Sequence, residues 1–226
     1  EPARAASLVD AGVSEVVLTA YSMDPRVHDA LVRKKGAHAR LLETLAVLSN
    51  LDVDIRLQIP ILSPRAQDLP GLLDDLSDRL DRIVGVELSI PNSMPPGKTT
   101  ERLAPPGLAE LRHLLRRVMN KAEELAIPCV FLPRSGVPFC GIPEEHRNEE
   151  VAPHHPNKPA RLDSGNTLGS SCGDCAMEKQ CTGVRSWYHG RYGDEGFAPF
   201  DAPMVGKERV DTLREHYSDP LVRARA

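Results

Sequence analysis

The stretch DVDIRLQIPILSPRAQDLPGLLDDLSDRLDRIVGVELSI, residues 52–90, determines the fold class of this chain. Residues 52–62 alternate between polar and apolar side chains, which is typical of a strand. Apolar residues at helical spacing predict a helix over 68–81, and the apolar run 83–90 predicts a second strand. Strand, helix and strand in this order indicate a βαβ unit, whose two strands run parallel.

The same alternation continues in both directions along the chain. Further strands are predicted at 13–21 and 127–133, and further helices at 24–50 and 108–125. The Pro-rich segment 91–107 is too long for a minimal connection, so it is a candidate functional loop. We therefore expect an α/β fold with a parallel sheet in residues 1–133.

The sequence changes in character after residue 133. Residues 134–203 are rich in Gly, Pro, His and Cys and show no sustained periodicity. The remaining residues, 204–226, contain one short predicted helix over 205–217. We expect three regions with these boundaries.

Charge and composition exclude several classes of function. The net charge of −4 gives no general attraction to nucleic acid or to an anionic membrane surface, and no apolar run is long enough to span a bilayer. Five cysteines in 226 residues do not form a disulfide scaffold of paired residues. They favour a reducing, cytoplasmic setting, in which clustered cysteines more often bind metal.

Three of the cysteines lie in CGDCAMEKQCTG, residues 172–183, with the spacing C-x2-C-x5-C. With Cys140 upstream, Cys172, Cys175 and Cys181 make a candidate site of four thiolates. An iron–sulfur cluster tolerates such unequal spacing, whereas structural zinc usually has two closely spaced pairs. Zinc, a redox-active pair and unligated thiols remain alternatives. Cys129 lies within a predicted strand and is expected to be a core residue.

Two parts of the chain resemble radical S-adenosylmethionine (radical SAM) enzymes. C-x2-C-x5-C-x-G followed by YGDEGFAPF (192–200) is similar to their auxiliary-cluster region of the twitch or SPASM kind. LVDAGVSEVVLTAYSMDPRVHDALVRKKGAHARLLETLAVL (8–48) resembles the fourth strand of their barrel and the helix after it. The resemblance implies the second half of a partial (β/α)6 barrel, followed by an irregular cysteine-rich extension that binds one auxiliary [4Fe-4S] cluster.

The chain departs from the family pattern at three points. It has neither the C-x3-C-x2-C motif nor the Gly-Gly-Glu segment that holds the methionine amino group, and Arg185 stands where a full SPASM pattern has a further cysteine. We therefore expect S-adenosylmethionine and a second [4Fe-4S] cluster to be bound together with an N-terminal half that lies outside these residues. The resemblance also implies a 5′-deoxyadenosyl radical, an electron donor such as a flavodoxin or ferredoxin, and a peptide or small-molecule substrate.

Candidate cofactor-binding residues follow from the expected strand ends, where ligands of parallel sheets bind. By their positions, the resemblance implies that Thr19, Tyr21 and Ser22 contact the cofactor ribose and that Arg33 reaches its carboxylate. Other candidates on or after the next two strands are Gln58, Glu87, Ser89 and Asn92. Each has an ordinary alternative, such as a turn, a solvated helix end or, for Glu87, a charge that caps an edge of the sheet; a charge inside an apolar strand normally needs a partner.

The remaining motifs suggest structural roles. We expect Trp187, Tyr188 and Tyr192 to shield the cluster from solvent, and RHLLRR (112–117) to be the solvated face of its helix. The alternative function is a small non-enzymatic α/β domain with a structural zinc or an electron-transfer cluster.

Overall fold

The structure is a computed structural model of the chain. It describes residues 2–65, 67–77, 83–94, 97–147 and 165–202. The whole of the third region (204–226), including the predicted helix at 205–217, lies outside the described residues.

Four parallel strands form one sheet, in the order in which they occur along the chain. They are β1 (Glu15–Thr19), β2 (Asp54–Pro60), β3 (Ile83–Ser89) and β4 (Cys129–Val130). All four strands predicted from the sequence are present, although β4 is much shorter than the pattern indicated. The prediction of an α/β fold with a parallel sheet is confirmed.

Helices connect the strands. They are α1 (Pro2–Asp10), α2 (Pro25–Val32), α3 (Ala37–Ser49), α4 (Leu69–Ser77), α5 (Lys98–Leu103) and α6 (Leu108–Glu124). These helices differ from the sequence predictions in two places. The single helix expected over 24–50 is divided into α2 and α3, and the Pro-rich loop contains the short helix α5.

The break between α2 and α3 has a local cause. Arg33 ends α2 in the left-handed region, with φ 59°, and Gly36 begins α3 with φ 78°. Two oxygens of Asp29 accept hydrogen bonds from the backbone N–H groups of Gly36 and His38, at 2.5 and 2.8 Å. This carboxylate therefore satisfies the exposed amides at the start of α3 and fixes the turn.

The two faces of the sheet differ in chemistry. Ile55, Leu57 and Ile59 of β2 are fully buried and belong to one hydrophobic cluster with residues of α3, α4 and α6. Burying each such side chain contributes about 1.5–3 kcal/mol. On the opposite face, the register places Thr19, Gln58 and Glu87 side by side across three strands.

Residues 165–202 pack against this α/β unit. Strands β5 (Asn166–Thr167) and β6 (Val184–Arg185) form an antiparallel pair, and helix α7 (Ser186–Tyr192) follows directly. The indole N–H of Trp187 donates to the carbonyl of Pro91, and the hydroxyls of Tyr188 and Tyr192 donate to carbonyls of the Pro-rich loop. These aromatic residues thus fasten α7 to the loop after β3.

None of the helices in the described part of the chain combines the length and the apolar character that crossing a bilayer requires.

Candidate functional site

A cavity of about 670 Å³ lies at the carboxyl ends of β1, β2 and β3. Its size is that of a small-molecule site, and its place is where parallel sheets bind ligands. Of the eight candidate residues named from the sequence, six line the cavity; Ser22 and Glu87 do not. The six are Thr19, Tyr21, Arg33, Gln58, Ser89 and Asn92.

Arg33 reaches this cavity from an unusual backbone position. It is a non-glycine residue with positive φ, a conformation that costs on the order of 1 kcal/mol or more. Its N–H bonds to the carbonyl of Ala30, which closes the last turn of α2. The ordered turn therefore positions a guanidinium at the cavity wall.

Ser22, also a candidate, is not among the residues that line the cavity. Its Oγ accepts a hydrogen bond from the N–H of Asp24 at 3.0 Å. Asp24 in turn caps α2 by accepting from the N–H groups of Arg26 and Val27. The structure thus places Ser22 in the helix-initiating turn, which was the alternative reading of this segment.

Glu87 lies at the level of the cavity floor but is completely buried. Its carboxylate lies 3.7 Å from Nη2 of Arg134, which is too long for a hydrogen bond. Among the described residues, neither carboxylate oxygen of Glu87 has a hydrogen-bond partner. A buried carboxylate in this state is costly, so its position beside a cavity calls for a functional explanation.

Sequence reasoning missed two arginines at the same cavity, Arg134 and Arg185. Arg185 is buried, and its Nη1 donates to Oδ1 of Asn166 at 2.9 Å. Its other terminal nitrogen donates to the backbone carbonyl of Arg134. No local pattern signals these contacts, because they join segments far apart in the sequence.

A second, smaller cavity is lined by all four cysteines of the predicted site. Cys140 comes from the short helical turn Phe139–Gly141, whereas Cys172, Cys175 and Cys181 come from the segment before β6. Side chains that line the cavity with them include Phe139, Phe197, Phe200 and Met177. The predicted shielding thus comes from phenylalanines, while Trp187, Tyr188 and Tyr192 hold the Pro-rich loop.

Backbone N–H groups point at two of these sulfurs. The N–H of Phe200 donates to Sγ of Cys175 at 3.3 Å, and that of Gly183 donates to Sγ of Cys181 at 3.4 Å. Hydrogen bonds of this kind stabilise thiolate ligands and tune the potential of iron–sulfur clusters. These two amides are placed to donate to ligating sulfurs, although burial by itself favours the neutral thiol of Cys181.

The protonation of the thiols reflects their burial and proximity. Burial raises the pKa of Cys140 and Cys172 and raises that of Cys181 to about 11. The nearby charges of Cys140 and Cys175 raise the pKa of Cys172 further. The guanidinium of Arg112 acts in the opposite direction on Cys140. Because metals bind thiolates, ligation at this cavity releases protons.

Cys129 is separate from this group. It lies in β4, is 9% exposed and belongs to the hydrophobic core, as predicted. Burial raises its pKa to about 12, so it is an inert, neutral thiol.

Among the described residues, no group of three or more His, Cys, Asp or Glu side chains is arranged to hold a metal ion. Four thiolates can ligate a structural zinc or a [4Fe-4S] cluster, and they lie farther apart around a cluster because each binds a different iron.

The chemistry of the donor set fits such a cluster: four cysteines, an apolar lining and amides that donate to sulfur. The cavity itself is small, about 20 Å³, which is room for one water molecule. Loading a cluster therefore requires the lining side chains to move outward.

Comparison with known proteins adds no family to these observations: no protein-family model and no curated protein sequence matches this chain.

Proposed function

We propose that this chain is part of a radical SAM enzyme and binds one auxiliary [4Fe-4S] cluster through Cys140, Cys172, Cys175 and Cys181. The observation that carries the proposal is that these four cysteines, from two separate segments, line one apolar cavity. Two of their sulfurs accept backbone hydrogen bonds. The separate position of Cys129 in the core supports the choice of these four.

In this proposal the four parallel strands are the second half of a partial barrel, and residues 134–203 form its cysteine-rich extension. The larger cavity then holds S-adenosylmethionine at the strand ends. Thr19, Gln58 and Asn92 supply polar contacts to the cofactor, and Arg33 presents a fork of donors that matches its carboxylate.

The residues of the chain have defined tasks in this arrangement. Phe139, Phe197 and Phe200 exclude water from the cluster, which raises its sensitivity to nearby charge. Backbone amides of Gly183 and Phe200 hold the thiolates in orientation. In the whole enzyme, a catalytic cluster held by the C-x3-C-x2-C half would supply one electron for the cleavage of S-adenosylmethionine to methionine and a 5′-deoxyadenosyl radical.

The partners proposed from the resemblance are that N-terminal half, a flavodoxin or ferredoxin as electron donor, and a peptide or small-molecule substrate. All five cysteines are free thiols, which is consistent with a reducing, cytoplasmic environment.

The proposal is tested by anaerobic reconstitution of the full chain with iron and sulfide, followed by quantification of both elements. We expect about four irons per chain, and a large loss in Cys175→Ala. Cys129→Ala is the matched control, because it removes a thiol that lies outside the cavity, and it should retain iron. Equal iron content in both variants, or tight zinc uptake without sulfide, would contradict the proposal.

A further inference from the structure

The cavity at the strand ends is strongly biased in charge. Among the described residues that line it, three are arginines, namely Arg33, Arg134 and Arg185, and none is aspartate or glutamate. The carboxylate of Glu87 is not part of this lining; it is fully buried, 3.7 Å from Nη2 of Arg134. The cavity therefore favours either one ligand with more than one negative group or two ligands with one negative group each.

Arg185 is held rigidly at the wall. Its guanidinium bonds to Asn166 and to the carbonyl of Arg134, as described above. Its side chain also lies against Gly136, whose φ is +69° and where an added Cβ would come within 2.8 Å of Nε of Arg185. The glycine thus leaves room for the arginine, and the loop after β4 positions it.

Arg134 is the adaptable member of the pair. Its side chain is 63% exposed, and the distance of 3.7 Å between its Nη2 and the Glu87 carboxylate is outside hydrogen-bonding range. The backbone carbonyl of Arg134 is bonded by Arg185, so the two residues are fixed side by side. Two neighbouring guanidiniums, one fixed and one adjustable, form a suitable receptor for an oxyanion.

We propose that Arg134 and Arg185 form a subsite for an oxyanion of the substrate, a carboxylate or a phosphate. This subsite rests on the proposed function in one respect. The proposed function assigns Arg33 to the cofactor carboxylate, so Arg134 and Arg185 are left for the substrate. Glu87 opposes the ligand: it attracts Arg134 and places a carboxylate beneath the anion. Removing its charge should therefore strengthen binding.

The test is an NMR titration of the full ¹⁵N-labelled chain, with neither cluster nor S-adenosylmethionine added. Three probes are compared: N-acetylglycine, its uncharged amide and inorganic phosphate. We expect saturable shifts of arginine Nε–H signals with an anionic probe and none with the amide. The anion with the lower dissociation constant shows whether the subsite prefers a carboxylate or a phosphate.

Variants locate the binding. Arg134→Gln should weaken the better anion at least about tenfold, the effect of losing charge-assisted hydrogen bonds. Glu87→Gln should strengthen binding, and Arg117→Gln, which removes an exposed arginine of α6, should leave it unchanged. Equal binding of the amide, an unchanged dissociation constant in Arg134→Gln, or no saturable shift with either anion would overturn the proposal.

The titration does not depend on iron, sulfide or S-adenosylmethionine. If the chain binds the anion but assembles no cluster, the proposed radical function is wrong and the subsite is supported. If the chain assembles a cluster but does not bind the anion, the subsite is wrong and the proposed function is supported.

Discussion

The Nε–H of Arg112 donates a hydrogen bond to the backbone carbonyl of Cys140, at 2.9 Å. The Nη2 of the same guanidinium donates to the carbonyl of Gly196, at 2.8 Å. A single side chain of α6 thus ties together the two segments that enclose the cysteine cavity. The arginine-rich run of this helix is therefore more than the solvated face that its sequence predicted.

Arg112→Gln should weaken the cysteine site. The substitution removes two hydrogen bonds from a charged donor, so we expect a loss of stability of about 2 kcal/mol and lower iron retention after reconstitution. Urea denaturation and iron quantification measure the two effects. Arg117→Gln on the exposed side of α6 is the control. Iron retention in Arg112→Gln equal to that of the control would show that the clamp is unimportant.

Gly183→Ala should disrupt the segment that carries Cys181. Gly183 has φ +68°, and an added Cβ would collide with the backbone carbonyl of Thr167 across the β5–β6 pair. We expect destabilisation of at least about 1 kcal/mol in thermal denaturation and impaired cluster assembly.

The matched control for this variant is Gly190→Ala. Gly190 lies within α7 with nothing near its Cβ position, so the substitution should stabilise the helix by about 0.5–1 kcal/mol. Effects of the same sign in both variants would argue against backbone conformation as the cause.

His28 should make stability depend on pH. Its side chain is buried beside Tyr21 and His38, and burial lowers its pKa below the ordinary 6.5, with Asp29 acting weakly in the opposite direction. The unfolded chain then binds the proton more tightly than the folded one. Stability is full above about pH 6.5 and declines as the pH falls through the interval between the two pKa values.

Urea denaturation between about pH 5 and pH 8 measures this dependence. In His28→Gln the part of the slope that is due to this imidazole should vanish, while overall stability falls because a buried contact is lost. A slope identical to that of the unmodified chain would assign the pH dependence to other groups.

Gln58→Ala and Asn92→Ala should weaken binding of S-adenosylmethionine by the assembled enzyme, which is this chain together with the proposed N-terminal half and its catalytic cluster. Each removes one neutral hydrogen-bonding side chain from the cavity wall, so roughly threefold to tenfold is expected in the dissociation constant by calorimetry. Thr44→Ala, on the exposed part of α3 away from the cavity, serves as the control. Unchanged affinity in all three variants would place the cofactor elsewhere.

The strands and the cysteine site follow from local signals. Apolar runs and alternation identified β1, β2 and β3 to within about two residues at each end, because periodicity reflects one buried face. The grouping of Cys140 with Cys172–Cys181 followed from ligand chemistry, and both segments do line one cavity.

The missed features depend on the tertiary structure. The break after α2 rests on Arg33 in a conformation that sequence rules assign to glycine. The bond from Arg112 to Gly196 spans 84 positions, and that from Arg185 to Arg134 spans 51. Such contacts have no local pattern, because packing rather than spacing brings their partners together.

The most direct test of the account is the Mössbauer spectrum of the full chain after anaerobic reconstitution with ⁵⁷Fe and sulfide. Four cysteine ligands to one cluster predict the spectrum of a [4Fe-4S] centre, unaltered by addition of S-adenosylmethionine, since no iron is left open. The spectrum of a single iron bound by thiolates, or no bound iron in a chain that takes up zinc instead, would contradict the central claim.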